Sequence, residues 1–522
     1  MSDWSGAITF AESWRRAVRR APDAPFLVFE GSDGCVTAWT YGEFDQVVSR
    51  VAHYLVQRGV TQGSAVHLAL TNSPAFIAVW LAAGNLRAWI VPSDPMGTAA
   101  ELAGHIARTS PTVGFCAADR AVTYRAAAGA MPCVELDETD VALALFGIET
   151  FELWPQAELR DRAAVMFTSG TTGAPKGVEI TQANYAFAGA TMAAAAQLEA
   201  HHRQLVVLPV FHANAQYYSI ASAIWAGASV ALMHTFSASG FTAQSARHGA
   251  THASVFAAPI RMILSRGASP VPGLHLEHCW YAMNISDEQY EVLSGLLGCR
   301  PRQLYGMTET IPAVLTDAGE SPLPSSMGFV TEGCAVDVQR PDGTSAAPGE
   351  IGEIVVRGVP GITLFAAYLD DPATTAASFR DGWFLTGDRA RRDQSDRYYF
   401  EGRRADVLKV AGENVSTVEV EQVLSAHPAV LEAAVVGRAD PIRDEVPVGF
   451  VVVVDQARPP TIDELHAWCA ERLTKAKRPH EITLVDELPR TSVGKIRKFL
   501  LRDPAAEVAQ AATSDDRKGA HA

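Results

Sequence analysis

Between residues 40 and 267 two kinds of apolar run alternate, and that alternation restricts the fold more than any other feature of the chain. "TYGEFDQVVSRVAHYLVQRGV" (40–60) sets Phe44, Val47, Val48, Val51 and Leu55 at helical spacing, whereas "GSAVHLAL" (63–70) is a short apolar run of strand length. "SPAFIAVWLAAGNLRAWIVP" (73–92) reads as helix then strand, and the rhythm returns in "RQLVVLPVFH", "YYSIASAIWAGASVALM" and "HASVFAAPIRMILSRG". Strands alternating with helices predict an α/β protein whose sheets are rich in parallel strands and covered by helices on both faces. Further along, "QRPDGTSAAPGEIGEIVVRG" (339–358) puts Asp-Gly and Pro-Gly turns between short β runs, which predicts hairpins. A new rhythm starts around residues 403–405. "ADVLKVAGENVSTVEVEQVLSAHPAVLEAAVVG" (405–437) reads as strand, turn, helix, strand, and the pattern continues to about residue 502. The expected organisation is a large N-terminal domain over 1–402 with a hairpin-rich subdomain, then a small α+β domain over 406–502. Residues 503–522, without an aromatic side chain, are expected to be disordered.

Charge and cysteine content narrow the function. A net charge of −15 argues against a general nucleic-acid binder, which needs a basic excess. No apolar run reaches the roughly 18 residues of a membrane span, and the charged N-terminus has no signal-peptide core. Seven scattered cysteines without a C-x-x-C pair fit reduced thiols, so a soluble cytoplasmic protein is expected. One segment departs from the acidic whole. Residues 472–502 hold nine Lys/Arg against three acids, either a solvated helix face or an anion-handling surface.

The stretch "MFTSGTTGAPKG" (166–177) cannot build a core: it follows the apolar "AAVMF" with three glycines, four hydroxyl residues and one lysine. Glycines let backbone N–H groups approach anionic oxygens and a lysine adds a point charge, which is phosphate-cradle chemistry. Pro175 before Lys176 keeps a helix from starting on the lysine, so this is not the Walker loop.

"TSGTTGAPKG" resembles the signature of the adenylate-forming superfamily, which includes acyl-CoA synthetases, peptide-synthetase adenylation domains and luciferases. Four further elements follow in that family's order: "LYGMTET" (304–310), "GWFLTGDRA" (382–390), "FEGRRADVLKVAGENVSTVEVE" (400–421) and "PRTSVGKIRK" (489–498). The resemblance implies that a carboxylate attacks the α-phosphorus of ATP and expels pyrophosphate. Thr168, Ser169, Gly170, Thr171, Thr172, Gly173 and Lys176 would hold the β- and γ-phosphates. Thr308 would touch the α-phosphate and Glu309 would hold Mg²⁺, a hard cation that takes oxygen ligands. Asp388 would accept the ribose hydroxyls beside Arg403, with Tyr305 and Gly306 against the adenine. Lys495 would bridge the acyl carboxylate and the α-phosphate, offsetting charge on both. Rotation of the small domain about a hinge at 403–405 would then admit CoA, with Gly412 leaving room for pantetheine. The family's usual hinge Asp or Lys falls here on Ala405.

The acid pocket is the least legible part. His212 would line or gate it, or serve as an ordinary structural histidine, and Phe211, Asn214, Trp225, Met283, Asn284 and Met307 would shape it. "FHANAQ" and "AMNIS" look closest to ligases for small or polar acids, such as crotonobetaine–carnitine CoA ligases. The expected activity is an AMP-forming acid–CoA ligase using ATP, Mg²⁺ and CoA. The alternatives are a carrier-protein thiol or an amine as acceptor, or nitrite activation to diazotise an aromatic amine, as in some relatives of secondary metabolism. From another class, a non-catalytic nucleotide-binding regulator is the competing reading.

Overall fold

The computed structural model describes residues 7–136, 149–151, 155–168, 175–265, 269–282, 285–319, 321–403, 407–410, 413–441, 443–490 and 496–502. The chain forms two compact units, one of residues 1–337, 355–386 and 395–398, the other of 338–354, 387–394 and 399–522.

The first unit holds two large sheets. In the six-stranded sheet the order is Cys133–Leu136, Val113–Ala117, Ala65–Ala69, Trp89–Pro92, Arg162–Thr168 and Lys176–Thr181. The first five strands run parallel and the last is antiparallel to its neighbour. Ala65–Ala69 and Val113–Ala117 are buried at every position, as strands covered on both faces must be. The nine-stranded sheet centres on parallel strands Arg302–Tyr305, His278–Ala282, His252–Phe256, Arg203–Val206, Ser229–Met233 and Pro25–Glu30. One face carries Leu205, Ala253, Val255, Cys279 and Tyr281, which join a buried cluster with Ile260, Ile263, Tyr290, Leu293 and Leu297 from the helices. The alternation read from the sequence is the architecture found.

Local chemistry fixes the helices. Thr40 and Glu43 close a reciprocal capping box at the start of Tyr41–Gln57, whose Phe44, Val47, Val48, Val51 and Leu55 are buried. Ser73 caps Pro74–Asn85, with proline in the first turn, where its missing N–H costs nothing. That helix is buried all round, so its sequence shows no polar face.

In the second unit, the antiparallel ladder Glu413–Ser416, Val407–Val410, Asp444–Val453, Val430–Asp440 is extended by Glu481–Leu484, parallel to Asp444–Val453. Leu408, Val415, Val435 and Val451 meet Val420, Leu424, Leu465 and Cys469 of two helices, Thr417–Ser425 and Ile462–Arg472. Here "ENVS" is a second strand where the sequence reads as a turn, because its short hairpin is closed by backbone pairing rather than by an apolar pattern. The Asp-Gly turn is present: Gly343 has φ +89° and Gln339 bridges Ser345. All seven cysteines are free thiols. Among the described residues no helix is long and apolar enough to cross a membrane.

Candidate active site

In the first unit the strand "AAVMF" ends at Thr168, which faces Lys176 as the last pair of an antiparallel hairpin, with Phe167 opposite Gly177. The strands that flank the glycine-rich string are therefore paired antiparallel up to Thr168 and Lys176. Ser169, Gly170, Thr171, Thr172 and Gly173 lie outside the described residues, as do Met283, Asn284, Gly412 and Lys495. Gly177 is needed as glycine for space: a Cβ there would meet Leu369 Cβ and Val165 Cγ1 at 3.1 Å.

The ammonium of Lys176 sits 4.7 Å from the centre of the Tyr368 ring, and the hydroxyl of that same tyrosine donates to Glu309 Oε1 at 3.0 Å. Glu309 is only 4% exposed. Its backbone carbonyl accepts from Phe365 N–H at 3.0 Å, which ties the Thr308–Thr310 turn to the segment bearing Tyr368. Burial first, then the charge of Glu309 and its hydrogen bond, raise the Tyr368 pKa, so the phenol remains a donor. A cation over the aromatic face and a carboxylate on the same ring's hydroxyl set opposite charges on one side chain.

The turn itself is strained. Ile311 has φ +73° and ψ −80°, costly for a β-branched residue, and Pro312 can supply no N–H to close it. The Thr310 hydroxyl compensates: it accepts from Met307 N–H at 3.0 Å and lies within donor distance of the Met307 and Pro312 carbonyls. Gly306, just before, has no room for a side chain. A Cβ would come within 2.8 Å of the Tyr218 hydroxyl and 2.9 Å of Ala313 Cα. Tyr305 ends the strand Arg302–Tyr305 and is buried, while Met307 and Thr308 are half-buried.

Tyr218 belongs to a π-helix, Asn214–Ala221, that follows Phe211 and His212. Such widened turns are rare and recur at functional sites. Asn214 is 6% exposed, and neither polar atom of its carboxamide has a hydrogen-bond partner among the described residues. Trp225, half-buried on the next short helix, packs towards Gly189.

In the second unit the structure brings Asp388 and Arg403 together, Nε donating to Oδ1 at 2.8 Å, with Asp388 3% exposed. Three of the basic residues of 472–502 are paired with acids of other elements of the unit: Lys477 with Glu419 at 2.6 Å, Lys498 with Glu421 at 2.8 Å, and Arg490 with Glu432. Those lysines and arginines hold the unit together more than they face solvent.

The residues of the first unit fit magnesium arriving with a nucleotide. Among the described residues no three His, Cys, Asp or Glu side chains converge to hold a metal, whereas Glu309 offers one buried carboxylate. Mg²⁺ keeps most of its waters and commonly takes one or two carboxylates plus substrate phosphates. Sequence reasoning missed Tyr368. It stands 59 residues from Glu309 in "FAAYLDD", where nothing local distinguishes it from a core aromatic.

The family model described as AMP-binding enzyme matches residues 14–369, and that for the AMP-binding enzyme C-terminal domain matches 419–495. A crotonobetaine/carnitine–CoA ligase of Citrobacter koseri is 32% identical over 501 residues, 91% of this chain and 95% of that protein. The o-succinylbenzoate CoA synthetase of Bacillus subtilis, solved with its acyl-adenylate intermediate, aligns with a TM-score of 0.81 at 25% identity, covering 94% and 98% of the two chains. ATP-bound MatB from Rhodopseudomonas palustris shares the fold, with a TM-score of 0.85 at 24% identity over 96% and 100%.

Proposed function

The chain belongs to the AMP-binding enzyme family of AMP-forming ligases, and from that premise we propose that it joins a small or polar carboxylic acid to CoA through an acyl-adenylate. In the first step the acid's carboxylate oxygen bonds to the α-phosphorus of ATP and the bond to the bridging oxygen breaks, releasing pyrophosphate. In the second the CoA thiol attacks the acyl carbonyl, releasing AMP and a proton. Negative charge gathers at the phosphorus in the first step, so fixed cations and N–H donors aimed there lower the barrier.

One observation carries the reading most: Lys176, Tyr368 and Glu309 form a single linked group at the base of the glycine-rich hairpin. In this reading the string from Thr168 to Lys176 holds the β- and γ-phosphates, and Thr308 meets the α-phosphate. Glu309 is the carboxylate that takes Mg²⁺, whose chemistry is to neutralise phosphate charge. The buried Asp388 takes the ribose hydroxyls next to Arg403, and Lys495 bridges acid and α-phosphate. Residues 403–405 act as the hinge between the two steps, and Gly412 leaves room for the pantetheine arm. Phe211, His212, Asn214, Trp225, Met283, Asn284 and Met307 shape the acid pocket. The carboxamide of buried Asn214, without a hydrogen-bond partner among the described residues, favours an acyl group that is itself polar. The name of the Citrobacter relative, a ligase for carnitine and crotonobetaine, points the same way.

Mass analysis of products from ATP, magnesium and a panel of acids, with CoA, with amines and nitrite, or with neither, tests the proposal. Acyl-CoA and AMP in equal amounts are expected. Acid-dependent AMP that ignores CoA, or a product that forms only with the amine, would replace the proposed acceptor. Nucleotide binding without any turnover would favour a regulator.

A further inference from the structure

Val210 sits in the turn that leaves the strand Arg203–Val206 and leads to Phe211 and His212. It is fully buried, and both of its backbone polar groups are met by side chains. Its N–H donates to Asn72 Oδ1 at 2.8 Å, and its carbonyl accepts from Gln216 Nε2 at 2.7 Å.

Asn72 follows the strand Ala65–Ala69 and directly precedes the Ser73 cap. Its amide nitrogen also donates to the carbonyls of Leu208, at 3.1 Å, and Met233, at 3.0 Å. One side chain thus ties together the carboxyl ends of Ala65–Ala69 in the six-stranded sheet and of Arg203–Val206 and Ser229–Met233 in the nine-stranded sheet. In open α/β sheets that edge is where ligands are received.

Gln216 lies in the π-helix Asn214–Ala221. A carbonyl can only accept, so Gln216 turns its nitrogen to Val210 and its oxygen to Tyr185, whose hydroxyl donates at 2.5 Å. Tyr185 comes from the helix Gln182–Ala195 and is packed among the rings of Phe10, Trp80 and Tyr217. Asn72, Gln216 and Tyr185 are all buried, the last two completely. The direction of each bond forces the next, so the network admits one arrangement. A buried network satisfied in this way specifies a single geometry, and removing one member leaves a buried group unmet.

We propose that Asn72 and Gln216, with Tyr185 behind Gln216, are positioning residues that fix the turn carrying Phe211 and His212 and thereby select among acids. The proposal rests on the reading above that Phe211 and His212 shape the acid pocket. The effect of all three travels through the backbone of Val210 and needs no contact with the acid. Without the Gln216 amide, the buried Val210 carbonyl recovers a partner only if the turn moves, and the Phe211 ring moves with it.

Pyrophosphate release by the full chain with acetate, butyrate, hexanoate, octanoate and carnitine, assayed well below the thermal midpoint, tests this. Gln216→Met keeps the shape and removes both hydrogen bonds. It should raise KM for the best of these acids about tenfold and narrow its preference over the others by a similar factor, with KM for ATP little changed. Tyr185→Phe keeps the bond to Val210 but leaves the Gln216 oxygen without its donor, so the same split should appear at about threefold. The double variant should be no worse than Gln216→Met alone, because both changes act through one amide. A folded Gln216→Met protein with wild-type acid KM and preference, or with KM for ATP and acid raised alike, overturns the proposal. Should Gln216→Met not fold, an unaltered Tyr185→Phe protein overturns it. Phe211→Ala separates the proposal from the reading beneath it. If that variant keeps the wild-type choice of acid, the pocket assignment falls and takes the positioning role with it. If it changes the choice while Gln216→Met does not, the positioning role falls alone.

Discussion

Glu309 is an uncommon carboxylate: nearly fully buried, with a phenol donating to one oxygen and an ammonium over the face of that phenol's ring. Replacing it by Gln keeps the shape but removes the charge, so Glu309→Gln should slow adenylation by roughly 100-fold or more and flatten its dependence on magnesium concentration. Tyr368→Phe removes only the donor and should cost about tenfold in the same pyrophosphate-release assay, the usual scale for a hydrogen bond to a charged group. Asn214 makes the opposite kind of case. Its carboxamide is buried without partners among the described residues, so Asn214→Leu should raise the thermal midpoint while lowering kcat/KM for whichever polar acid wild type prefers. A variant no more stable than wild type would show that the amide is satisfied. The motif residues could be read from the sequence because their types and order are diagnostic. Tyr368 could not, since its partner Glu309 is 59 residues away and nothing local marks it.

At the scale of elements, the alternation of apolar runs was enough to identify the parallel sheets, because a strand buried on both faces has to be mostly apolar. What the pattern could not show was that the strands on either side of the glycine-rich string pair antiparallel, since pairing partner and direction depend on backbone register, not on composition. The π-helix after His212 is equally silent, its residues reading like any buried helix. The six-stranded sheet also carries a pH liability. His67 and His105, and His252 in the other sheet, have folded-state pKa values of about 3, about 4 and about 4, against 6.5 when unfolded. The unfolded chain therefore binds more protons between those values, and stability is lost as pH falls from about 6.5 towards 4. Thermal midpoints measured across that range should drop, and His105→Phe should drop less. Gly114→Ala, whose Cβ would run into the Tyr124 hydroxyl, should destabilise the sheet by about 1–3 kcal/mol in denaturant titration.

For the whole molecule, the two compact units divide the proposed labour. One carries the hairpin, Glu309 and the π-helix; the other carries the Asp388–Arg403 pair and the ladder from Val407 onward. Lys495→Ala should abolish acyl-adenylate formation while leaving the variant able to pass a supplied acyl-adenylate to CoA, since only the first step places charge beside that lysine. The central claim is that a carboxylate attacks the α-phosphorus of ATP. Its most direct measurement is the transfer of ¹⁸O from a doubly labelled acid during turnover with ATP, magnesium and CoA. One labelled oxygen should appear in AMP, carried there when the acyl-adenylate is cleaved by the thiol. Label found instead in inorganic phosphate, or ADP as the nucleotide product, would contradict the account.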